Sequence, residues 1–129
     1  MGYKSESLCR TSANKRACGV ESDADYNAHE MCGAASKAAV EAVNGYKFDV
    51  GPIPYVIYQA SGSTCDYAYA TSGIRWAYAI EVRGNTFQPP TSNIKLSNLE
   101  LYEGVKAQLA CIESTLMIEA QGIALPNMF

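Results

Sequence analysis

The chain has 129 residues, of which 48% are hydrophobic and 18% charged, a composition typical of one folded domain and not of a disordered chain. Its net charge is −3 and its basic residues form no dense cluster, which argues against a nucleic-acid partner. No apolar run approaches the roughly 20 residues that a helix needs to cross a bilayer, so no membrane partner is expected either.

Residues 1–23 are polar and lack a hydrophobic period, which predicts a loop. They also lack the apolar segment of a signal peptide, so an export signal would have to lie outside this sequence. Five cysteines are many for a cytosolic domain of this size, and they favour an oxidising, extracellular location. The favoured bridge joins Cys9 and Cys18. Cys32 and Cys111 are further candidate partners, and an odd number of cysteines leaves at least one thiol free.

A helix is predicted to start at Ser22, where Asp25 three residues later resembles a capping box, and to stop at Asn44-Gly45. Small apolar residues recur along it at helical spacing. We expect this face to pack closely on a flat surface such as a sheet; it comprises Met31, Ala34, Ala35, Ala38, Ala39 and Ala42.

The single histidine, His29, lies within this predicted helix beside Glu30. A metal site would need partners three or four residues away, and Cys32 offers one of them. A lone helical histidine next to charged residues is more typical of the surface. The sequence therefore predicts an exposed His29 and no metal site.

Residues 47–58 alternate apolar residues with Gly and Pro, which predicts short extended segments and turns in place of a central strand. Residues 66–70 are predicted to form a short helical turn. Asp66 would stand near its N-terminus, where the helix dipole favours a negative charge.

A strand is predicted over residues 74–83 because its side chains alternate with period two. One side carries Ala77 and Ala79 and then Glu81, which places this carboxylate at the end of an apolar row. A desolvated carboxylate has a raised pKa, which suits a general base. Arg83 on the same side could instead pair with Glu81 and make it structural, and the pattern alone leaves both interpretations open.

The last predicted helix covers residues 97–118, with Ser97 as its cap and Glu100 three residues on. Leu101, Val105, Leu109 and Ile112 fall on one side of it and are expected to form its buried face.

Four short segments, taken in chain order, carry a resemblance. Residues 57–62 read I-Y-Q-A-S-G, residues 66–69 read D-Y-A-Y, residues 73–75 read G-I-R and residues 80–83 read I-E-V-R. The zinc metallocarboxypeptidases of the carboxypeptidase A type (peptidase family M14) show I-Y-x-A-S-G, D-W-[AS]-Y, G-[IV]-K and [FIL]-E-L-R in the same order at nearly the same spacing. The chain therefore resembles the C-terminal portion of that domain.

The resemblance implies roles for four residues. Glu81 falls on the catalytic glutamate, the general base for a zinc-bound water, and Tyr58 falls on a tyrosine whose mobile loop closes over the substrate's C-terminal residue. Without the resemblance, Tyr58 would be read as a half-buried loop aromatic. Cys65 falls at the bottom of the specificity pocket, where a small thiol implies a preference for apolar or aromatic C-terminal residues. Phe87 resembles an aromatic residue that packs near the substrate.

The resemblance also implies the fold class, which is α/β with helices flanking a mixed, mostly parallel sheet and the site at the strands' C-terminal ends. Residues 1–23 would then be a polar loop or insertion, residues 24–118 the C-terminal half of a zinc carboxypeptidase domain, and residues 119–129 a tail. Zinc is the implied cofactor of the complete enzyme. Its ligands are expected to be absent from this chain, which would be inactive alone.

The implied partners are a peptide or protein C-terminus as substrate and the missing N-terminal half of the domain. Secretion is expected from the family and from the cysteine content. Two other functions stay open. One is a non-catalytic carboxypeptidase-like module that binds peptide C-termini, and the other is a small disulfide-stapled secreted protein with no peptidase ancestry.

Overall fold

The computed structural model describes residues 2–3, 23–58, 62–84 and 86–123. Two long helices account for about half of this part of the chain, and it also contains three very short strands and two short helices. In chain order the elements are β1 (Gly2–Tyr3), α1 (Asp23–Asn44), β2 (Gly51–Pro52), α2 (Ile53–Val56), α3 (Thr64–Ala70), β3 (Tyr78–Ala79) and α4 (Asn93–Ala120).

Helix α1 ends where the sequence predicts. Asn44 is its last residue, and Gly45 follows with φ 78°, in the left-handed region where glycine carries no steric penalty. The predicted cap, Ser22, lies outside the described residues.

The face of α1 that is buried is not the predicted one. Ala28, Cys32 and Ser36 are fully buried, whereas Ala34 and Ala38 are exposed. The reason is that α1 packs mainly on another helix, α4, through the side that carries Cys32 and Ser36. The prediction that the alanine face packs on a sheet is therefore wrong for the described residues.

Small residues let α1 and α4 approach closely. At Gly104 of α4, an added Cβ would lie 2.6 Å from Val40 Cγ2 and 3.0 Å from Ser36 Oγ. A disulfide joins the same two helices between Cys32 and Cys111, with their Cα atoms 5.3 Å apart. Both residues were candidate bridge partners. The favoured bridge, Cys9 with Cys18, lies outside the described residues.

Helix α4 begins at Asn93, four residues before the predicted Ser97, and its packed face differs from the predicted one. Glu100, Gly104, Gln108 and Thr115 are buried against the rest of the chain. The predicted core face is instead largely open: Leu101 is 38% and Leu109 is 59% exposed, while Val105 and Ile112 are half-buried. The apolar face formed by these four residues thus lies beside the face of α4 that contacts α1.

The three strands form one small sheet in the order β2-β1-β3. Strand β1 pairs in parallel with β2, with Gly2 opposite Gly51, and antiparallel with β3, with Gly2 opposite Ala79. One pairing of each kind makes the sheet mixed, and a mostly parallel sheet is not observed in the described residues. Because β1 falls within residues 1–23, the prediction of a loop there is wrong at Gly2–Tyr3.

The predicted strand over residues 74–83 is reduced to two paired residues, Tyr78–Ala79. The prediction of a short extended segment at residues 47–58 is confirmed by β2, which stands at one end of the sheet, whereas Ile53–Val56 form the short helix α2. Helix α3 confirms the predicted helical turn. Ser63 Oγ accepts from the Asp66 N–H at 3.1 Å, and Asp66 Oδ2 accepts from the Ser63 N–H at 3.1 Å.

Within the part of the chain that the structure describes, neither long helix is apolar enough to cross a membrane.

Candidate functional site

Glu81 follows β3 by two residues and is exposed. On the same side of the segment Ala77 is buried and Ala79 half-buried, so the small-residue row exists as expected. The row opens onto a cleft, however, and none of the described residues covers the carboxylate. The expectation of a desolvated Glu81 is therefore wrong for the chain as it stands.

Arg83 does not neutralise Glu81. Its Nε donates to Glu100 Oε2 at 2.9 Å, its Nη2 donates to Glu100 Oε1 and to Asn44 Oδ1 (3.0 Å), and its guanidinium lies 4.3 Å from the ring centre of Tyr46. Asn44 Nδ2 also donates to Glu100 Oε1 at 2.7 Å. The alternative of a Glu81–Arg83 pair is excluded, and the end of the β3 segment is tied to both long helices.

This cluster shifts the pKa values of its members. Burial pushes the pKa of Glu100 up, but the hydrogen bonds from Arg83 and Asn44 outweigh burial and hold it below its usual value. The same carboxylate raises the pKa of Arg83. Glu100 is therefore an ionised, paired carboxylate, and it is a structural one.

Three of the four predicted site residues line one open cleft of about 510 Å³. Tyr58 reaches it from the end of the α2 turn, Glu81 from the segment after β3, and Phe87 from the following loop. Tyr58 is 64% exposed and Phe87 fully exposed. The cleft also contains Ile80, Val82, Gly84 and Thr86.

The arrangement combines one carboxylate, one phenol and apolar walls. Such a cleft can accept an extended peptide side chain against Phe87 and Val82, while the carboxylate accepts a proton or a hydrogen bond. Its openness means that water reaches every polar group of the described wall.

Cys65 is not among the described residues that line this cleft. It lies half-buried on α3 as a free thiol. Burial raises the pKa of the Cys65 thiol, and the neighbouring Asp66 raises it further. The side chain is therefore a neutral, weakly polar group, as the predicted specificity role requires, but its place relative to a substrate stays a prediction.

His29 is 2% exposed, so the prediction of a surface histidine is wrong. Its Nδ1 lies 2.7 Å from the Asp25 carbonyl oxygen, and its ring is surrounded by Tyr69, Trp76 and Tyr78 at 5.1–6.3 Å between ring centres. Burial lowers the pKa of His29, so the ring is neutral at pH 7. The aromatic partners come from a distant part of the sequence, which the local pattern around His29 could not indicate.

Arg75 is a second anchor that the sequence analysis did not single out. Its guanidinium pairs with Asp25 of α1 and, through Nη1 at 2.7 Å, with Glu119 of α4. Tyr69 Oη donates to Asp25 at 3.1 Å. The segment that contains β3 is thus held at both ends, by Arg75 before the strand and by Arg83 after it.

The described residues contain no group of three His, Cys, Asp or Glu side chains arranged to hold a metal ion. His29, the one imidazole, is enclosed by rings and bonded to a backbone carbonyl. A catalytic zinc needs three protein ligands and an open position, so zinc does not fit this part of the chain by itself.

Comparisons of the sequence with a family model and with individual proteins all find carboxypeptidases. Residues 2–104 match the family model described as zinc carboxypeptidase. A carboxypeptidase B from Astacus astacus is 35% identical over 80 residues, covering 60% of this chain and 26% of that protein. A carboxypeptidase A2 from Rattus norvegicus is 38% identical over 63 residues, covering 49% of this chain and 15% of the relative. A carboxypeptidase A1 from Homo sapiens is 49% identical over 51 residues, covering 37% of this chain and 12% of that protein. The chain thus spans about a quarter or less of these relatives.

Proposed function

Because the chain belongs to the zinc carboxypeptidase family, we propose that it supplies one wall of a carboxypeptidase active site, with Glu81 as general base and Tyr58 as the closing residue over a peptide C-terminus. The reaction is hydrolysis of the C-terminal peptide bond. Membership of this family also contradicts one of the two other functions considered from the sequence, that of a small disulfide-stapled protein with no peptidase ancestry.

The observation that carries the proposal is the shared cleft. Tyr58 and Glu81 are 23 positions apart in the sequence, and Phe87 stands on a third segment, yet all three line the same 510 Å³ cavity. A cleft that gathers a carboxylate, a phenol and an aromatic side chain supports a site that binds and acts on a peptide, because apolar surface with a few convergent polar groups is typical of binding sites.

Glu81 is suited to act as the general base because no described residue forms an ion pair with its carboxylate. Arg83, the nearest cation along the chain, is engaged by Glu100. The carboxylate is therefore free to take a proton from a water molecule and return it to the leaving amine. Phe87 and Val82 would contact an apolar substrate side chain, and Cys65 would favour apolar or aromatic C-terminal residues.

Zinc is the cofactor of this family, and it supplies Lewis-acid activation of water when bound. Since zinc does not fit the described residues, its ligands are proposed to belong to the part of a complete domain that lies outside this chain. The same part would complete the sheet. On this proposal the chain alone does not hydrolyse peptides, and the missing N-terminal half of the domain is its partner. We also propose that the protein is secreted, because a disulfide such as the one between α1 and α4 is typical of oxidising compartments.

A second candidate is a non-catalytic module that binds peptide C-termini. The exposure of Glu81 favours it, because a base normally works in a site from which bulk water is excluded. The two candidates differ in what they require of Glu81. A binder would tolerate Gln at this position, whereas an enzyme would not.

The test is reconstitution. The chain is co-expressed with the portion of the Astacus astacus carboxypeptidase B that precedes the matched segment, supplied with zinc, and assayed on a peptide with a C-terminal phenylalanine. We expect turnover that falls about 10³-fold in Glu81→Gln. Glu113→Gln, an exposed carboxylate on α4, is the matched control and should leave the rate unchanged. Peptide binding with equal affinity and no turnover in either form would instead support the binding module.

A further inference from the structure

Two carboxylates, Glu81 in the cleft and Glu100 of α4, lie within reach of the same cation, Arg83. Arg83 stands two positions after Glu81, so their Cα atoms are at most about 7 Å apart. A side chain as long as arginine can reach a carboxylate over that distance, and the opposite charges attract. The guanidinium is nevertheless bound by Glu100, through Nε at 2.9 Å from Oε2 and through Nη2 to Oε1.

The difference in burial explains why Glu100 holds the cation. The side chain of Glu100 is 2% exposed, whereas Glu81 is exposed. A pair removed from solvent is screened less than a surface pair, and two parallel N–H···O bonds are the strongest arrangement of a guanidinium and a carboxylate. A buried Glu100 without a cation would also cost more free energy than an unpaired Glu81 in water.

Residues at the end of α1 hold Arg83 in the same position. Asn44 Oδ1 accepts a hydrogen bond from Arg83 Nη2 at 3.0 Å, and Asn44 Nδ2 donates to Glu100 Oε1 at 2.7 Å. The ring of Tyr46 packs against the guanidinium, 4.3 Å from its centre. Among the described residues that line the cleft, Tyr58 is the other titratable one. Both long helices therefore draw the guanidinium away from the cleft.

We propose that Glu100 is a positioning residue for the base: by holding the guanidinium of Arg83 on α4, it keeps that cation off the Glu81 carboxylate. A carboxylate paired with a cation takes up a proton less readily, because the opposite charge favours its ionised form. Loss of Glu100 would therefore weaken the base as well as the fold. The inference rests on the proposed function for the role of Glu81, while the competition for Arg83 is a property of the chain itself.

The experiment follows the titration of the Glu81 carboxylate by carbon-detected NMR in the full, isotope-labelled chain. In Glu100→Leu the freed Arg83 pairs with Glu81, and the midpoint should fall by about 0.5 pH unit at low salt, as for an exposed ion pair. About 1 M NaCl should abolish this shift, because the Debye length is then only about 3 Å. Glu100→Gln should give a smaller shift in the same direction, because its neutral amide oxygen still accepts from the guanidinium.

Two control variants separate competition for Arg83 from a general loss of charge. Glu103→Gln also removes a carboxylate from α4, but it frees Lys106, and the Glu81 midpoint should not change. Arg83→Ala combined with Glu100→Leu removes the competing cation, so the midpoint should return to that of the unmodified chain. Circular dichroism of each variant verifies that the helices are intact, and Glu100→Gln decides alone if Glu100→Leu does not fold.

The reconstituted enzyme gives a second measurement. In Glu100→Leu the acid limb of the kcat/KM profile should move to lower pH, while KM changes little. A purely structural role of Glu100 would instead reduce the amount of folded enzyme, and so lower the rate by the same factor at every pH.

Each outcome decides. An unchanged Glu81 midpoint in both Glu100→Leu and Glu100→Gln overturns the inference, and so does an equal shift in Glu103→Gln. A shift that persists after Arg83→Ala is added to Glu100→Leu also overturns it. A shifted midpoint in a chain whose reconstituted forms hydrolyse no peptide supports the competition for Arg83 and contradicts the proposed catalysis, so the two failures are distinguishable.

Discussion

Arg83 stands two residues from Glu81 along the chain, yet its guanidinium is bound by Glu100 of α4, with Nε 2.9 Å from Oε2. The side chain of Glu100 is 2% exposed and that of Arg83 is 13% exposed, so the pair is removed from solvent. The interaction holds the end of the β3 segment against the helices while leaving the carboxylate of Glu81 in the cleft.

Removing Arg83 should destabilise the chain strongly. Arg83→Ala leaves the buried Glu100 carboxylate with only Asn44 as a hydrogen-bond donor, and an uncompensated buried charge is costly. We expect the Tm to fall by roughly 10 °C, measured by circular dichroism. Arg83→Ala combined with Glu100→Leu should recover much of the loss. An unchanged Tm in Arg83→Ala would show that the pair contributes nothing to stability.

The buried His29 should make the chain less stable as the pH falls. Its pKa is lowered in the folded state, so its contribution is fully present above the unfolded value of about 6.5 and is lost as the pH falls towards the folded pKa. Because the chain has one histidine, the urea midpoint of the unmodified protein should drop between pH 7 and pH 5, whereas that of His29→Phe should change less. Parallel curves for the two proteins would contradict this prediction.

The disulfide between Cys32 and Cys111 should be a major source of stability. It closes a loop with a sequence separation of 79, for which the chain-entropy relation gives about 4.5 kcal/mol. The double variant Cys32→Ala with Cys111→Ala should lose about that much free energy of unfolding in urea. Cys65→Ala removes a thiol that forms no bridge and is the control. A double variant as stable as Cys65→Ala would show that the bridge does not constrain the unfolded chain.

The close approach of the long helices should not tolerate a methyl group at Gly104. Its Cβ would lie 2.6 Å from Val40 Cγ2, so Gly104→Ala is expected to cost about 1–3 kcal/mol despite the better helix propensity of alanine. Val40→Ala opens space at that point. The double variant should therefore be more stable than the sum of the two single changes predicts, and strict additivity would mean that the helices simply move apart.

Cys65 provides a test of substrate preference in the reconstituted enzyme. Cys65→Asp places a negative charge where the resemblance puts the bottom of the specificity pocket. We expect kcat/KM to shift at least about tenfold from C-terminal Phe towards C-terminal Lys. Cys65→Ser, which keeps the size and adds no charge, should retain the preference for Phe. If Cys65→Asp leaves the ratio unchanged, Cys65 does not line the pocket.

The sequence by itself determined the family and the local elements. Motif spacing over residues 57–83 identified the zinc carboxypeptidase relationship, and the Asn44-Gly45 stop signal located the end of α1, because these signals depend only on neighbours along the chain. The sequence also predicts the helical turn at residues 66–70, although α3 begins two residues earlier, at Thr64. The fold class followed from the family, and the described sheet shows only a mixed, three-stranded part of it.

The tertiary structure decided which faces are buried and which charges meet. Apolar periodicity predicted the alanine face of α1 and the leucine face of α4 as core, yet the helices pack through Cys32, Ser36 and Gly104, because the side of each helix that is buried is set by its partner helix. His29 is buried in the folded chain, and Arg83 pairs with Glu100 and not with Glu81. These outcomes depend on groups up to 79 positions apart, which no local pattern in the sequence records.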